Sequence, residues 1–428
     1  MSRNVIRATA LFAIAALTAC HGGAVMPPAQ TAAFSAAGSG EIPLLSPNAV
    51  RTVCPAPAHP GEMRCFALER SDLRAAMDDA NATHQGYGAQ DLQHAYKIPF
   101  GNGTKVAIVD AYGYPHASSD LAIYRSYYKL ISCTTGNGCL VIRNQTGGTQ
   151  PPPANGGWDQ EQALDLDMVS AACPRCHIVL VQANSDYTSD LYTAVREAAK
   201  LGAVVISTSF GGSEYTKCGG PGEGSDSAFS QPGHVYVASS GDQGGGLADC
   251  GGPQQPCSLP SVVCAGGTKL VHATNDRGWK ESIWNELADD FCSGPCGATG
   301  SGCSIVVKKP SWQHDAGCKM RSEADVSAEA SVLAPVAVYV GGWTAFGGTS
   351  VSAPLIAGIF GRARNAAQIN GPEHVWTNHG SLYDQTVGSN VYQRVSGYCA
   401  SSVKYICNAA KGFDGPSGWG TPNGLGAF

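Results

Sequence analysis

Charge is sparse in this sequence. Only 14% of its 428 residues are charged, and 27 basic against 33 acidic side chains leave a formal net charge of −6. No basic cluster is available to neutralise a phosphate backbone, which argues against nucleic acid as a partner. Long apolar runs are also missing: residues 8–19 form a short one, too short to span a bilayer. There is no H-E-x-x-H, which removes a helix-borne zinc site of that type, and no G-x-S-x-G elbow. No internal repeat is present, so a solenoid or propeller is excluded.

What is plentiful is glycine (54), proline (25) and cysteine (17), in a chain that is still 43% apolar. That combination describes a loop-rich globular fold, not a disordered chain. The length suits one large domain or two ordinary ones. Arg3 and Arg7 followed by apolar residues 8–19 read as an export signal. The run ends Leu17-Thr-Ala-Cys20, which resembles a bacterial lipobox. The resemblance implies that residues 1–19 are removed and Cys20 carries lipid, giving an outer-membrane or cell-surface lipoprotein, otherwise a secreted protein. Seventeen cysteines less Cys20 leave an even sixteen, which an exported chain would hold as disulfides. Local spacing suggests Cys54–Cys65, Cys133–Cys139, Cys173–Cys176, Cys257–Cys264 and Cys399–Cys407. Cys218, Cys250, Cys292, Cys296, Cys303 and Cys318 are left to pair among themselves. Cys173-Pro-Arg-Cys176-His177 also fits the haem c attachment pattern, but a short disulfide at a helix–strand corner accounts for it more simply.

Along the chain, residues 21–60 are rich in Ala, Pro, Ser and Gly and read as a tether. A short helical pattern follows, and the compact domain is expected to begin near Gly86. Lys105-Val-Ala-Ile-Val-Asp110 is a buried-strand run. Helices are expected over 120–130, 160–173 and 189–201, alternating with strands at 178–182, 203–207, 235–238 and 262–265. Such alternation means an α/β domain with a mainly parallel sheet and helices on both faces. Asp110, Ser209 and Asp242 fall at the carboxyl ends of strands, where ligands of these sheets bind. Residues 270–345 read as irregular, Cys- and Gly-rich excursions.

Three stretches carry candidate chemistry. In Phe346-Gly-Gly-Thr-Ser350-Val-Ser-Ala-Pro354 a glycine pair delivers a serine to the start of an apolar helix, with Pro354 in its first turn. Ser350 there is either a nucleophile with N–H groups close by for an oxyanion, or a plain N-cap. Glu161 and Asp165 are four apart on one helix face, either a working pair of carboxyls or a solvated acidic face. Asp167 points elsewhere. Ser239-Ser-Gly-Asp242 is either a strand-end turn or a carboxyl aimed into a cleft.

The Gly-Thr-Ser350-x-x-x-Pro354 stretch resembles both subtilisins and sedolisins, the serine-carboxyl peptidases. A subtilisin needs a His-Gly-Thr-type motif upstream, and none of His116, His177 or His234 stands in one. The order Glu161, Asp165, Asp242, Ser350 is instead similar to that of sedolisins. Further likeness lies in Ala107-Ile-Val-Asp-Ala-Tyr112, Ser209-Phe-Gly-Gly212, Ala265-Gly-Gly-Thr268, Asp325-Val-Ser-Ala328 and Gly412-Phe-Asp414-Gly-Pro-Ser-Gly-Trp-Gly-Thr-Pro422. It covers roughly Gly86 to the C-terminus.

The resemblance implies a subtilisin-like fold and an acid-active endopeptidase. Ser350 would be the nucleophile, Glu161 its general base and Asp165 the residue that hydrogen-bonds and orients Glu161. Asp242 would be a protonated oxyanion donor. Ser209, Phe210, Gly211 and Gly212 would pair with substrate backbone as an added strand. It also implies one Ca2+, held by Asp384 and Asp414 side chains and the carbonyls of Gln385, Ala410 and Gly412; the family usually has Gly where Ala410 stands. Partners are then protein or peptide substrates, with no nucleic acid, membrane contact only through the lipid, and a monomeric state. Sedolisins are usually made with a large prodomain, for which residues 20–85 are too few. That segment is read as a lipid-anchored linker or a reduced pro-segment, ahead of a peptidase domain over 86–428. The alternative is a catalytically inactive relative that binds peptides or partner proteins.

Overall fold

A computed structural model describes residues 49–74, 85–214, 226–245, 252–287, 297–391 and 404–428. Cys20 and its lipobox lie outside them, as do Cys218, Cys250, Cys292, Cys296 and Cys399. The framework is an eight-stranded sheet in the order Trp279–Ile283, Val262–His272, Val235–Ser239, Val205–Thr208, Lys105–Ala111, His177–Ala183, Leu140–Asn144, with Val326–Glu329 also paired to Val262–His272. All pairings are parallel except that of Trp279–Ile283. The central strands are continuous apolar runs because both faces are buried. Successive side chains enter opposite cores: Val106 and Ile108 one, Ala107 and Val109 the other.

Helices Ala117–Tyr127, Gly156–Ala172 and Thr349–Ala363 pack on the first face, and Thr188–Lys200 covers the second. Thr188–Lys200 buries Leu191, Val195, Ala198 and Ala199 on one stripe. Thr349–Ala363 is buried on every side from Thr349 to Gly361, as befits a helix apolar all round. It lies tight against Gly156–Ala172. A Cβ at Gly358 would stand 2.6 Å from the Ala172 Cβ, so this crossing requires glycine. Among the described residues no helix is long and apolar enough to cross a membrane.

Two expectations need correction. Residues 270–345 hold seven strands in whole or part rather than irregular excursions, including Ala298–Lys308 and Trp343–Gly347. Several of them pair with strands far away in sequence, which local composition does not reveal. The folded body also begins upstream of Gly86. Val50–Thr52 and Leu68–Arg70 join Trp343–Gly347 and Val336–Tyr339 in a four-stranded sheet, and Arg64–Cys65 pairs with Phe210–Ser213. Residues 50–52, the end of the expected tether, are thus paired, and Arg70 and Glu69 are fully buried. Disulfides join Cys54–Cys65, Cys133–Cys139, Cys173–Cys176 and Cys257–Cys264 as the spacing suggests, and Cys303 bonds Cys318.

Candidate active site

Ser350 is the second residue of the Thr349–Ala363 helix, immediately behind Thr349 and Gly348. Gly348 has φ +95°, and a Cβ there would lie 2.0 Å from the Phe66 carbonyl oxygen. Only glycine can deliver the serine by this route. Pro354 is not in the first turn but is the sixth helical residue. Its missing N–H leaves the Ser350 carbonyl without the usual i+4 donor.

Glu161 and Asp165 project from the Gly156–Ala172 helix, whose Asn155 cap accepts from Gly157 N–H at 3.2 Å. Both are fully buried, as is Asp110 at the end of Lys105–Ala111, so this is not a solvated acidic face. Asp167, expected to point elsewhere as a solvated acid, does point elsewhere but is buried too, and its carboxyl accepts from Tyr339 N–H at 3.0 Å. Asp242 follows the Val235–Ser239 strand and is 5% exposed.

Burial is the main force on all four carboxyls. It raises Asp110 to about 8 and Asp242 to about 7. It raises Glu161 well above its ordinary value, with the Asp110 and Asp242 charges adding to it and the Ser350 hydroxyl opposing it. It raises Asp165 likewise, with Asp110 and Glu161 adding and Ser209 opposing. Burial and mutual repulsion both favour protons on this cluster, so its carboxyls do not all ionise together and a single charge can be shared among them.

The expected hydrogen bond that orients Glu161 is not what fixes Asp165. Both Asp165 oxygens face the Ser209 hydroxyl, at 2.8 and 2.9 Å. Among the described residues no N–H or hydroxyl donor stands at hydrogen-bond geometry to either Glu161 oxygen. The Ser350 hydroxyl is near enough to lower the Glu161 pKa, yet it donates to Ser209 O at 3.2 Å. Asp242 Oδ1 accepts from Thr349 N–H at 2.9 Å and Thr349 Oγ1 at 2.8 Å, while Oδ2 is buried without a donor. That oxygen lies 2.9 Å from the position of a Gly348 Cβ, on the side of the Phe66 carbonyl.

The Ser209-Phe210-Gly211-Gly212 edge is paired as a strand, with Arg64–Cys65 on one side and Gln254–Gln255 on the other. Sequence reading takes Asp110, at a strand's carboxyl end, as structural or a supporting residue at most, and the structure places it in the carboxyl cluster. It places Ser209 at a strand end as well but misses the bond from its hydroxyl to Asp165. Thr349 had no signal.

Away from this cluster, Asp384 and Asp414 meet at the C-terminal loop. Gly412 N–H donates to Asp384 at 2.8 Å, and Ala410 N–H to Asp414 at 2.9 Å. Asp414 also accepts from Ser417 N–H and Oγ, each at 2.8 Å. Its pKa is raised to about 7, by burial first, with the Asp384 charge adding to it. Among the described residues no basic side chain forms an ion pair with either. Two carboxyls without a countercharge are oxygen donors of the kind a hard cation takes. Gln385 donates its side-chain amide to Tyr383 O at 2.8 Å.

Residues 153–403 match the family model described as the subtilase family. Sedolisin of Pseudomonas sp. (strain 101) is 26% identical over 390 residues, which is 83% of this chain and 62% of that protein. Kumamolisin of Bacillus sp. (strain MN-32) is 28% identical over 305 residues, 66% of this chain and 53% of that protein. The chain thus spans less than two thirds of the length of either relative. The solved Pseudomonas sedolisin, a serine-carboxyl proteinase complexed with two molecules of pseudo-iodotyrostatin, superposes with a TM-score of 0.67 at 25% identity, covering 80% of this chain and 96% of that one. With its mainly parallel α/β sheet, its central buried helix and the match over residues 153–403, the chain belongs to the subtilase family, on its sedolisin branch.

Proposed function

We propose that this protein is an exported serine-carboxyl endopeptidase that hydrolyses peptide bonds in acid. The observation that carries the reading is the grouping of Ser350 with four buried carboxyls and no histidine among its hydrogen-bond partners. Ser350 Oγ attacks the peptide carbonyl, Glu161 takes its proton and returns it to the leaving amine. Asp165, held by Ser209, shares a proton with Glu161 and sets its charge. A neutral Asp242 donates from Oδ2 to the oxyanion alongside Ser350 N–H. A carboxylate base keeps working at a pH where histidine would already be charged. One Ca2+ on Asp384, Asp414 and the carbonyls of Gln385, Ala410 and Gly412 would neutralise the acidic pair and fix the C-terminal loop. The basic-then-apolar start, Cys20 and the disulfides support export with a lipid anchor.

The test is casein hydrolysis across about pH 3 to 8 after acid incubation. Wild type should peak below neutral, with Ser350→Ala and Glu161→Gln each reduced at least about a thousandfold. Full activity of Ser350→Ala, or an alkaline optimum, would refute the reading.

A further inference from the structure

Three tryptophans and a phenylalanine meet around a cavity of about 640 Å³, lined by neither Ser350 nor any of the four carboxyls around it. Trp312 comes from the loop before Met320–Glu323, Trp376 from the short helix Gly371–Thr377, and Phe413 and Trp419 from the C-terminal segment. Trp376 stands at the centre. Its ring centroid is 5.7 Å from that of Trp312, 4.5 Å from Phe413 and 5.4 Å from Trp419. Rings at such distances ordinarily close into a core. Here only Trp376 is buried, while Trp312, Phe413 and Trp419 are half-buried and line open space. His379 stacks on Trp419 at 3.8 Å and extends the aromatic wall.

One buried residue fixes these walls. Asp325 Oδ1 accepts from Trp376 Nε1 at 2.7 Å, and its carbonyl accepts from Trp419 N–H at 2.9 Å. Its Oδ2 accepts from Arg321 at 2.6 Å. Arg321, also fully buried, lies over the Trp312 ring, 5.1 Å from its centroid. Three of the four rings are thus set before any ligand arrives, which lowers the entropy lost on binding. The Trp312 ring already holds one cation in this way.

Charge decides what the cavity takes. Two carboxyls, Asp315 and Glu373, line it, and among the described residues no Lys or Arg does. Glu373 is exposed and forms no ion pair among the described residues. The Asp315 side chain is only 2% exposed. Its Oδ2 takes Lys309 Nζ at 2.9 Å and the Tyr405 hydroxyl, while Oδ1 is buried with no hydrogen-bond partner among the described residues. Open acceptors beside the negative faces of aromatic rings repel an anion and suit a positive group. We propose that this cavity binds an organic cation, an alkylammonium or guanidinium group held over the Trp and Phe rings with Glu373 and Asp315 as its countercharges. The group can belong to a free small cation or to a Lys or Arg side chain of a polypeptide. The inference stands apart from the peptidase reading.

The experiment uses the full chain carrying Ser350→Ala, which leaves peptides uncut, at neutral pH. Tetramethylammonium, arginine amide and the peptide Gly-Gly-Arg-Gly-Gly are titrated by calorimetry and by tryptophan fluorescence, beside sodium acetate and glucose. We expect at least one cation to bind with Kd of about 1 mM or tighter, at least about tenfold more tightly than acetate or glucose. Glu373→Gln, at an exposed position, should weaken that binding about threefold. Trp312→Leu should weaken it about fivefold, and Trp312→Phe, which keeps a ring, should recover most of the loss. Tighter binding of the peptide than of both small cations assigns the site to polypeptide side chains. Equal or tighter binding of a small cation assigns it to free cations. No cation binding up to about 50 mM, affinity unchanged in both Glu373→Gln and Trp312→Leu, or a preference for glucose or acetate overturns the proposal. Casein hydrolysis tests the peptidase reading separately, and none of these results alters it.

Discussion

Asp242 gives the sharpest separation between electrostatic catalysis and mere structure, because one of its oxygens is committed and the other is free. Oδ1 holds Thr349 N–H and Oγ1, while Oδ2, the oxygen proposed to face the oxyanion, is buried with no donor among the described residues. An oxyanion there requires a donor, so the carboxyl must be protonated to help. Burial raises Asp242 to about 7. The protonated fraction is therefore near one at about pH 5, one half at about 7 and about a tenth one unit higher, a tenfold fall in kcat per further unit. Asp242→Asn keeps an oxygen for Thr349 and presents an N–H that does not titrate. It should retain kcat within about tenfold at about pH 5 and lose the fall through neutrality. Asp242→Ala removes the donor altogether, a loss of about 10²–10³ in kcat, or about 2.7–4 kcal/mol. It also strands the buried Thr349 groups, which costs about 1–3 kcal/mol of stability. The assay is kcat on a quenched peptide from about pH 3 to 9. An Asn variant with the wild-type alkaline limb, or an Ala variant with unchanged kcat, would show that Asp242 is not an oxyanion donor.

Folding stability should decline as pH rises. Asp110 is raised from 3.8 to about 8, and Glu161 and Asp165 are raised in the same direction. Carboxyls of this kind stabilise when protonated, so their contribution is whole below about pH 4 and is lost as pH climbs through about 8. Scanning fluorimetry of Ser350→Ala, which cannot digest itself, should give a Tm several degrees lower at about pH 8 than at about pH 5, and Asp110→Asn should flatten that slope; a Tm independent of pH contradicts the assignment. A chelator at near-neutral pH should lower Tm, Ca2+ should restore it, and Asp414→Ala should abolish the response; unchanged melting with chelator removes calcium from the account.

The sequence by itself determined the parallel core and the candidate reacting groups. Runs such as Lys105-Val-Ala-Ile-Val-Asp110 announce strands buried on both faces, because no polar residue interrupts them. The spacing of Glu161 and Asp165 puts both on one helix face whatever surrounds that helix. Short loops between cysteines bring Cys133 to Cys139 and Cys173 to Cys176 without help from the rest of the chain. Tertiary structure decided the remainder. Ala298–Lys308 opens Ala-Thr-Gly-Ser-Gly, which has no strand signal, and is a strand because Gln243–Gly245 and Met320–Glu323 supply its ladders. Residues 62–68 carry no local mark of their fate, since the two edges that hold them, at Phe210 and Phe346, lie far along the chain. The carboxyls are the clearest case. Spelled out in sequence, Asp110, Glu161, Asp165 and Asp242 are ordinary acids that ionise in water. Only the fold removes that water, and the energy of burying a charge then raises all four above their ordinary values.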